Sequence, residues 1–570
     1  MESNKCYDAI IVGAGFAGMF MLHRLRELGF SARVYEAGGG VGGTWYWNRY
    51  PGARCDVESM QYSYSFSKEL EQEWEWTEKY SPQPEILGYA NHVADRFDLR
   101  RDIQFDTRVT SITFDENVNL WNVKTDHGDQ VNAQFCVMAV GCLSSANQPN
   151  FEGLDDFEGP IYHTGEWPHD CVDFSGLRVG VIGTGSSAIQ IMPTIADQAS
   201  SLTVFQRTPN YSVPAHNQNL DPEYVKSVKE SYPELRAKAR ARPTGFYFEF
   251  NTSSALEATA EERKHQYENF WTLGGLPFLG AYGDLLFDKE ANETIAEFAR
   301  NKIRDIVKDA ETADLLCPVN VFGCKRLCVD TGYYAVYNQP HVKLVDVSEK
   351  PIERFTKNGV VANGVEYEFD AVVCATGFAA MTGSFDNIQI TGRDGLTLKE
   401  KWRAGPRVYL GLSSTGFPNL FMITGPGSPS VLASMIQAIE QHVDWIADCI
   451  GHMRAVGATT IEPKIAHEDD WIEHVNEVSK VSLRSTCSSW YVGANIPGRP
   501  SVFMPYIGGF PIYVNKCNEV MMSGYDSFVI QGSDKTNTPP QICCTERWHV
   551  ELDLEVMSPA AIDAKRVPVV

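Results

Sequence analysis

The sequence predicts an α/β chain built from two Rossmann-like units, with a helical insertion inside the second. Three observations lead there. A short apolar strand runs directly into Gly13-Ala-Gly15-Phe-Ala-Gly18 near the N-terminus. A second one runs into Gly183-Thr-Gly185-Ser-Ser-Ala188. Downstream of that second loop, residues 215–320 lose the strand pattern and take up helical periodicity.

In the first unit, Tyr7-Asp-Ala-Ile-Ile-Val12 is a continuous apolar run, as a parallel strand buried on both faces requires. The glycines follow, and Met19 to Leu28 continues with helical spacing. The strand Ala32-Arg-Val-Tyr-Glu36 then ends in an acid. Gly13, Gly15 and Gly18 suit a tight turn and close backbone approach, the helix N-terminus suits a pyrophosphate, and Glu36 suits ribose hydroxyls. A second glycine cluster opens Gly42-Gly-Thr44-Trp45-Tyr-Trp47-Asn-Arg-Tyr-Pro-Gly-Ala-Arg-Cys-Asp56. Glycines here fit a loop that must also admit a bulky flavin, so FAD is expected, with the aromatics as a stacking wall. Ser81-Pro-Gln-Pro marks a turn, Trp121 to Thr125 a strand, and Phe135 to Gly141 a returning buried strand.

In the second unit, the strand Leu177–Ile182 opens onto Gly183, Gly185 and Ala188. Its partner, Leu202-Thr-Val-Phe205, ends in Gln206-Arg207-Thr208 instead of an acid. Arginine at that place suits the 2′-phosphate of NADP, where an acid would favour NAD. Within 215–320, Asp221-Pro-Glu reads as a cap with proline at the first helical position. Ile295, Ala299, Ile303 and Ile306 form an apolar stripe. This insertion is expected to pack against the flavin unit. Glu368 to Gly377 is a strand ending in Ala-Thr-Gly, where the chain should cross back. A later helix carries Ile436, Ile439, Val443 and Ile446 on one face, and Ser489 to Gly498 reads as a mobile, functional loop. The expected division is 1–147 and 379–531 for FAD, 148–214 and 321–378 for NADP, 215–320 for the insertion, and 532–570 as a tail without a role.

Bulk properties narrow the function. At 570 residues the chain is too long for one core. Its 43% hydrophobic and 21% charged content is that of an ordinary globular protein. A formal charge of -24 disfavours nucleic acid and anionic membranes. No apolar run approaches the roughly twenty residues that span a bilayer, and the start lacks a signal-peptide pattern. Fourteen cysteines occur without a Cys-x-x-Cys pair, and the close pairs Cys324/Cys328 and Cys543/Cys544 lack metal spacing. A cytoplasmic, monomeric protein with reduced thiols and no metal is expected.

Between the two loops lies Phe157-x-Gly159-x3-His163-x3-Trp167-Pro168. With both nucleotide loops, the Gly42–Asp56 segment, Val204-Phe-Gln-Arg-Thr-Pro-Asn, Lys325-Arg326 and Ser489-Trp490-Tyr, this linker resembles the type I Baeyer–Villiger monooxygenases. The likeness is to the phenylacetone and cyclohexanone monooxygenase type and runs from about residue 7 to 530. The Ser428-Pro-Ser-Val-Leu-Ala-Ser-Met435 stretch is closer to the phenylacetone type.

The resemblance implies two Rossmann-like dinucleotide-binding domains, for FAD and NADP(H), molecular oxygen as co-substrate and a small-molecule ketone as substrate. It implies that a peroxide formed on the reduced flavin, at C4a, attacks the ketone to give an ester or lactone, with sulfoxidation as a possible side activity. Arg326 matches the family's catalytic arginine and Asp56 the acid that pairs with it. Thr44, Trp45, Trp47, Tyr62, Val109 and Met435 fall on the FAD side. Ser186, Ser187, Ala188, Gln190, Arg207, Thr208, Lys325 and Trp490 fall on the NADP side. Phe157, Gly159, His163, Trp167 and Pro168 take structural or conformational roles. The competing readings are a heteroatom-oxidising flavin monooxygenase, whose linker usually ends differently, a flavin disulfide reductase, which needs a cysteine pair near the flavin, and a nucleotide sensor, which would not need Arg326 beside Asp56.

Overall fold

A computed structural model of the protein describes residues 5–532, 545–548 and 550. Two mainly parallel sheets carry it. The first has eight strands, and its central pair is Cys6–Val12 beside Gln130–Met138. Ala32–Tyr35 and Ile103–Gln104 extend one side in parallel. On the other side Leu120–Thr125, Val109–Asp115 and Gln389–Thr391 follow. The second sheet is entirely parallel, in the order Val342–Asp346, Ser201–Gln206, Arg178–Ile182, Ala371–Cys374, Ile161–His163. Ile10, Ile11, Val179, Val181, Val372 and Val373 are all 0% exposed, the two-faced burial that makes such strands read as unbroken apolar runs.

Both glycine loops lie at the carboxyl ends of their sheets, where open α/β sheets bind ligands. Gly13 follows Cys6–Val12 with φ +102°, and a Cβ there would lie 2.6 Å from the Ala139 carbonyl oxygen. Gly183 repeats this with φ +120° and 2.5 Å to the Ala375 oxygen. In each unit the neighbouring strand passes so close to the turn that only glycine fits.

Several expectations are revised. The returning strand runs from Gln130 to Met138 instead of Phe135 to Gly141. Its first half pairs antiparallel with Leu120–Thr125 and its last three residues pair parallel with Leu420–Met422, so one strand receives two successive neighbours. The linker is itself an edge strand, with His163 in register with Cys374. Helix Met435–Val456 is buried all round, not on one face. Glu440, Gln441, His442, Asp444, Asp448 and His452 are buried along with its isoleucines. The expected loop at 489–498 holds a short helical turn, Trp490–Val492, with Tyr491 buried beneath it.

Segment 215–320 is helical. Asp221 caps Pro222–Glu230 by accepting from the Glu223 and Tyr224 N–H groups. That helix and Tyr232–Ala241 lie against the first unit, where Lys229 pairs with Glu75 at 2.6 Å and Arg236 with Glu71 at 3.0 Å. Ile295, Ala299 and Ile303 are buried in Lys289–Ile306, whereas Ile306 is only half-buried. The strands Ser212–Pro214 and Cys328–Asp330 pair at the mouth of the segment and set Arg326 two residues ahead of a strand. The part of the tail within the described residues is engaged. Arg547 reaches Asp444 at 3.0 Å and Glu440 at 2.9 Å, and Trp548 Nε1 donates to Asp444. The Cys543/Cys544 pair lies outside the described residues.

Candidate active site

Arg326 and Asp56 stand 270 positions apart in sequence and meet in a two-point contact. Arg326 Nε donates to one Asp56 oxygen at 2.8 Å and Nη2 to the other at 2.9 Å. Nη1 donates to the Val431 carbonyl oxygen at 2.7 Å, so all three guanidinium nitrogens are directed. Burial works against the arginine's charge, but the Asp56 carboxylate and its hydrogen bonds outweigh it and hold the guanidinium protonated. The two side chains keep 27% and 24% exposure, which leaves the pair open on one side.

Beside them lies a residue that sequence reasoning missed. Arg484 is half-buried and close enough to Arg326 for the two charges to repel, and desolvation with that repulsion lowers its pKa. Its Nε donates to the Gly323 oxygen at 3.0 Å. Tyr491 sits against both arginines, and burial holds its phenol neutral. Arg484 thus adds a second cation beside the Arg326–Asp56 pair. No motif marks Arg484 or the Val431 carbonyl, because both reach the site only through tertiary packing.

The first glycine loop opens helix Phe16–Glu27 at Gly15 with no side-chain cap. Gly15 faces Gly43, a Cβ on it coming 3.4 Å from the Gly43 Cα, so the two glycine clusters meet. Gly18 packs so tightly that a Cβ would lie 1.8 Å from the Gly13 oxygen. Glu36 is 5% exposed and accepts from the Ala14 N–H at 2.6 Å and the Gly38 N–H at 2.7 Å. Burial raises its pKa, and these two donors partly offset that. Thr44, Trp45 and Trp47 share the short helix Thr44–Trp47, and Trp45 Nε1 donates to the Tyr62 hydroxyl at 3.0 Å. Val109 is buried with Val12 and Tyr35. Met435 begins its helix and packs with Val431, Tyr491 and Trp490.

The second loop opens helix Ser186–Gln198 at Gly185, again without a side-chain cap, and no atom lies within 4 Å of a Cβ built there. Ser186 Oγ contacts Cys328 Sγ at 3.4 Å, Ser187 bonds Tyr50, and Ala188 is buried. The Gln190 amide is engaged elsewhere than at the loop. It accepts from the Tyr50 hydroxyl at 2.8 Å and donates to the Arg54 oxygen at 2.9 Å, which ties this helix to the Gly42–Asp56 segment. Arg207 is exposed and Thr208 half-buried. Burial lowers the Lys325 pKa and the nearby Arg207 charge acts in the same direction, so two cations share this corner.

The linker side chains lie away from the arginines. His163 Nδ1 accepts from the Gly165 N–H at 3.0 Å, so its proton sits on Nε2, 3.0 Å from the Thr376 hydroxyl. Thr376 donates onward to the Asn147 oxygen at 2.7 Å. Burial keeps this imidazole neutral. Phe157 is buried, and a Cβ on Gly159 would meet the Asp370 oxygen at 2.6 Å. Trp167, followed by Pro168, is buried against Tyr162 and Phe174.

Comparison with known proteins bears on this arrangement. The family model described as pyridine nucleotide-disulphide oxidoreductase matches residues 10–268. A Baeyer–Villiger monooxygenase of Pseudooceanicola batsensis is 41% identical, over 92% of this chain and 96% of its own. A phenazine N-monooxygenase of Lysobacter antibioticus is 41% identical, over 92% and 97%. Among solved structures, oxidised steroid monooxygenase bound to NADP superposes with a TM-score of 0.89 at 53% identity, covering 93% of this chain and all of that one.

Proposed function

The chain belongs to the Baeyer–Villiger monooxygenases, and on that premise we propose that oxygen insertion takes place beside the Arg326–Asp56 pair. The protein is an FAD-containing, NADPH- and O2-dependent monooxygenase that converts ketones to esters or lactones. When bound, FAD supplies the hydride acceptor and the oxygen-activating centre. The residues suit one dinucleotide at each loop. Two uncapped helix N-termini leave their first N–H groups to a pyrophosphate, and the open space at Gly185 admits close backbone approach.

The two-point bond between Arg326 and Asp56 carries the catalytic assignment. Negative charge grows on the ketone oxygen as its carbonyl carbon is attacked. A guanidinium already fixed by three hydrogen bonds stabilises that charge without reorganising. Asp56 orients the fork, and Arg484 adds a second cation beside Arg326. Arg207, Thr208 and Lys325 would hold the 2′-phosphate of NADPH. Trp45, Trp47, Tyr62 and Met435 would wall the flavin, and Trp490 would border NADP. His163 moves no proton in this scheme, since both ring nitrogens are engaged with protein groups; it ties the linker to the Thr376 crossover.

The division into FAD, NADP and insertion segments is likewise proposed, supported by the separate strand orders of the two sheets. Among the described residues no helix is long and apolar enough to cross a membrane. A cytoplasmic location is proposed, supported by the free thiols among the described residues, and a monomer is proposed with it. A second reading, oxidation at nitrogen or sulfur, draws support from the likeness to the phenazine N-monooxygenase. A panel of linear, cyclic and aryl ketones, N-heteroaromatics and sulfides, incubated with NADPH and analysed by mass spectrometry, decides between them. Esters or lactones from the ketones are expected. N-oxides formed with no ester across the panel would favour the second reading.

A further inference from the structure

Two cysteines that this chemistry leaves unused meet next to it. Cys324 directly precedes Lys325 and Arg326 and is 0% exposed. Cys487 is half-buried and ends the helical turn Leu483–Thr486, three residues ahead of Trp490. One hydrogen bond joins the two segments, Arg484 Nε donating to the Gly323 oxygen at 3.0 Å, and the Leu483 N–H ties the second segment to the insertion through the Leu286 oxygen at 2.9 Å. Both cysteines are free thiols, and their sulfurs interact directly. The Cys487 S–H has two acceptors in reach, the Cys324 sulfur and the Leu483 oxygen at 3.7 Å. The Cys324 sulfur also accepts from Asn320 Nδ2 at 3.2 Å.

We propose that Cys324 and Cys487 form a peroxide-responsive thiol pair that closes to a disulfide and pins the Trp490 turn to the Arg326 segment. The two sulfurs differ in character, as a nucleophile and its resolving partner must. The Cys487 hydrogen bond, helped by Asn320 and Lys325, draws Cys324 down to about 7, while contact with Cys324 and burial push Cys487 up. Sulfur, not metal, chemistry suits the place, since among the described residues no group of three or more His, Cys, Asp or Glu could hold a metal ion.

The chemistry balances with hydrogen peroxide as oxidant. The Cys324 thiolate attacks one peroxide oxygen, the O–O bond breaks, and the departing hydroxide takes up a proton to become water. Cys324 is then a sulfenic acid. The Cys487 sulfur attacks it, the S–O bond breaks, and the hydroxide leaves as a second water with the Cys487 proton. Two thiols lose two electrons, and one peroxide becomes two waters. The oxidant is a product of the enzyme's own reactants, because NADPH, O2 and a proton yield NADP+ and hydrogen peroxide when no substrate takes the oxygen. That source, and the effect on turnover, rest on the proposed function; the disulfide itself does not.

The test uses reduced, desalted holoenzyme treated with a graded excess of hydrogen peroxide. Remaining thiols are alkylated, the protein is digested without reductant, and peptides are identified by mass. A Cys324–Cys487 linked peptide is expected, and it should disappear with dithiothreitol. Ketone turnover should fall about tenfold to a hundredfold, the scale of a displaced active-site segment, and recover with the same reductant. Cys487→Ser should turn over normally and form no linked peptide. Peroxide should then stop Cys324 of this variant at the sulfenic acid or beyond, and that fall in turnover should be absent. In the wild type, overoxidised Cys324 without a link, or no modification of either residue, would overturn the pair. A linked wild-type protein with unchanged turnover would overturn the switch. Because the peptide mass needs no ketone activity, failure of the proposed function and failure of this pair are separately visible.

Discussion

Arg207 and Lys325 crowd positive charge into one corner, which burial and mutual repulsion make costly until an anion arrives. A phosphate accepting charge-assisted hydrogen bonds there is worth about 1.5–3 kcal/mol per contact, so NADPH should exceed NADH by at least tenfold in kcat/KM. Equal values would remove the 2′-phosphate assignment. His442 carries a second expectation, in pH. Its Nδ1 accepts from the Thr424 N–H at 2.8 Å, and Nε2 meets the Tyr513 hydroxyl at 2.8 Å. Burial lowers its pKa from 6.5 to about 3, so the folded protein resists a proton that the unfolded chain accepts. Stability from this group is complete above pH 6.5 and drains away as pH falls toward 3, by about 2 kcal/mol between pH 7 and 5. Denaturant titrations at those two pH values should show His442→Gln losing less than the wild type by that amount. Equal losses would show that His442 titrates in the folded state. Arg207 was legible because it replaces an expected acid at a strand end. His442 was not, since an isolated histidine in a helical run carries no sign of what surrounds it.

Among elements, the two glycine loops behave alike in sequence and differently in packing. Gly18→Ala places a methyl carbon 1.8 Å from the Gly13 oxygen, so the helix must shift off the loop, and the purified protein should lose its yellow FAD. Gly185→Ala meets nothing within 4 Å. It should fold and hold FAD, with the KM for NADPH raised because the methyl occupies the space a pyrophosphate needs. An unchanged KM would place the nucleotide elsewhere. The strands that flank these loops were readable because burial on both faces enforces unbroken apolar runs. Helix Met435–Val456 was read as one-faced because sequence shows its acids but not their partners. Glu440 accepts from the Ser65 N–H at 2.7 Å and its hydroxyl at 2.6 Å, a pairing made 375 positions away.

Across the whole molecule, the two units are stitched by polar side chains. Gln190 joins Tyr50 and Arg54, and His163 joins Thr376, which bonds Asn147. The tail contributes too. Arg547 neutralises Glu440 and Asp444, which are 1% and 2% exposed. Arg547→Ala should cost about 2–3 kcal/mol in denaturant unfolding, less than the roughly 3–5 of a fully orphaned buried charge, because Arg24 still pairs with Asp444 at 3.0 Å. A loss within experimental error would make the contact incidental. No sequence signal gave the tail a role, since a lone Arg-Trp finds meaning only against the acids it meets. Cys324 and Cys487 were missed for the same reason, because spacing rules see neighbours in sequence and not neighbours in space.

The claim on which the rest depends is that the guanidinium held by Asp56 stabilises the anion of oxygen insertion. It is tested by measuring ester formation by Arg326→Ala under NADPH and air. The variant should remain yellow and FAD-loaded while ester formation falls on the order of 100- to 1000-fold, and Arg326→Lys should not restore full activity, because an ammonium lacks the planar fork. Near-wild-type ester formation by the FAD-loaded alanine variant would contradict the assignment.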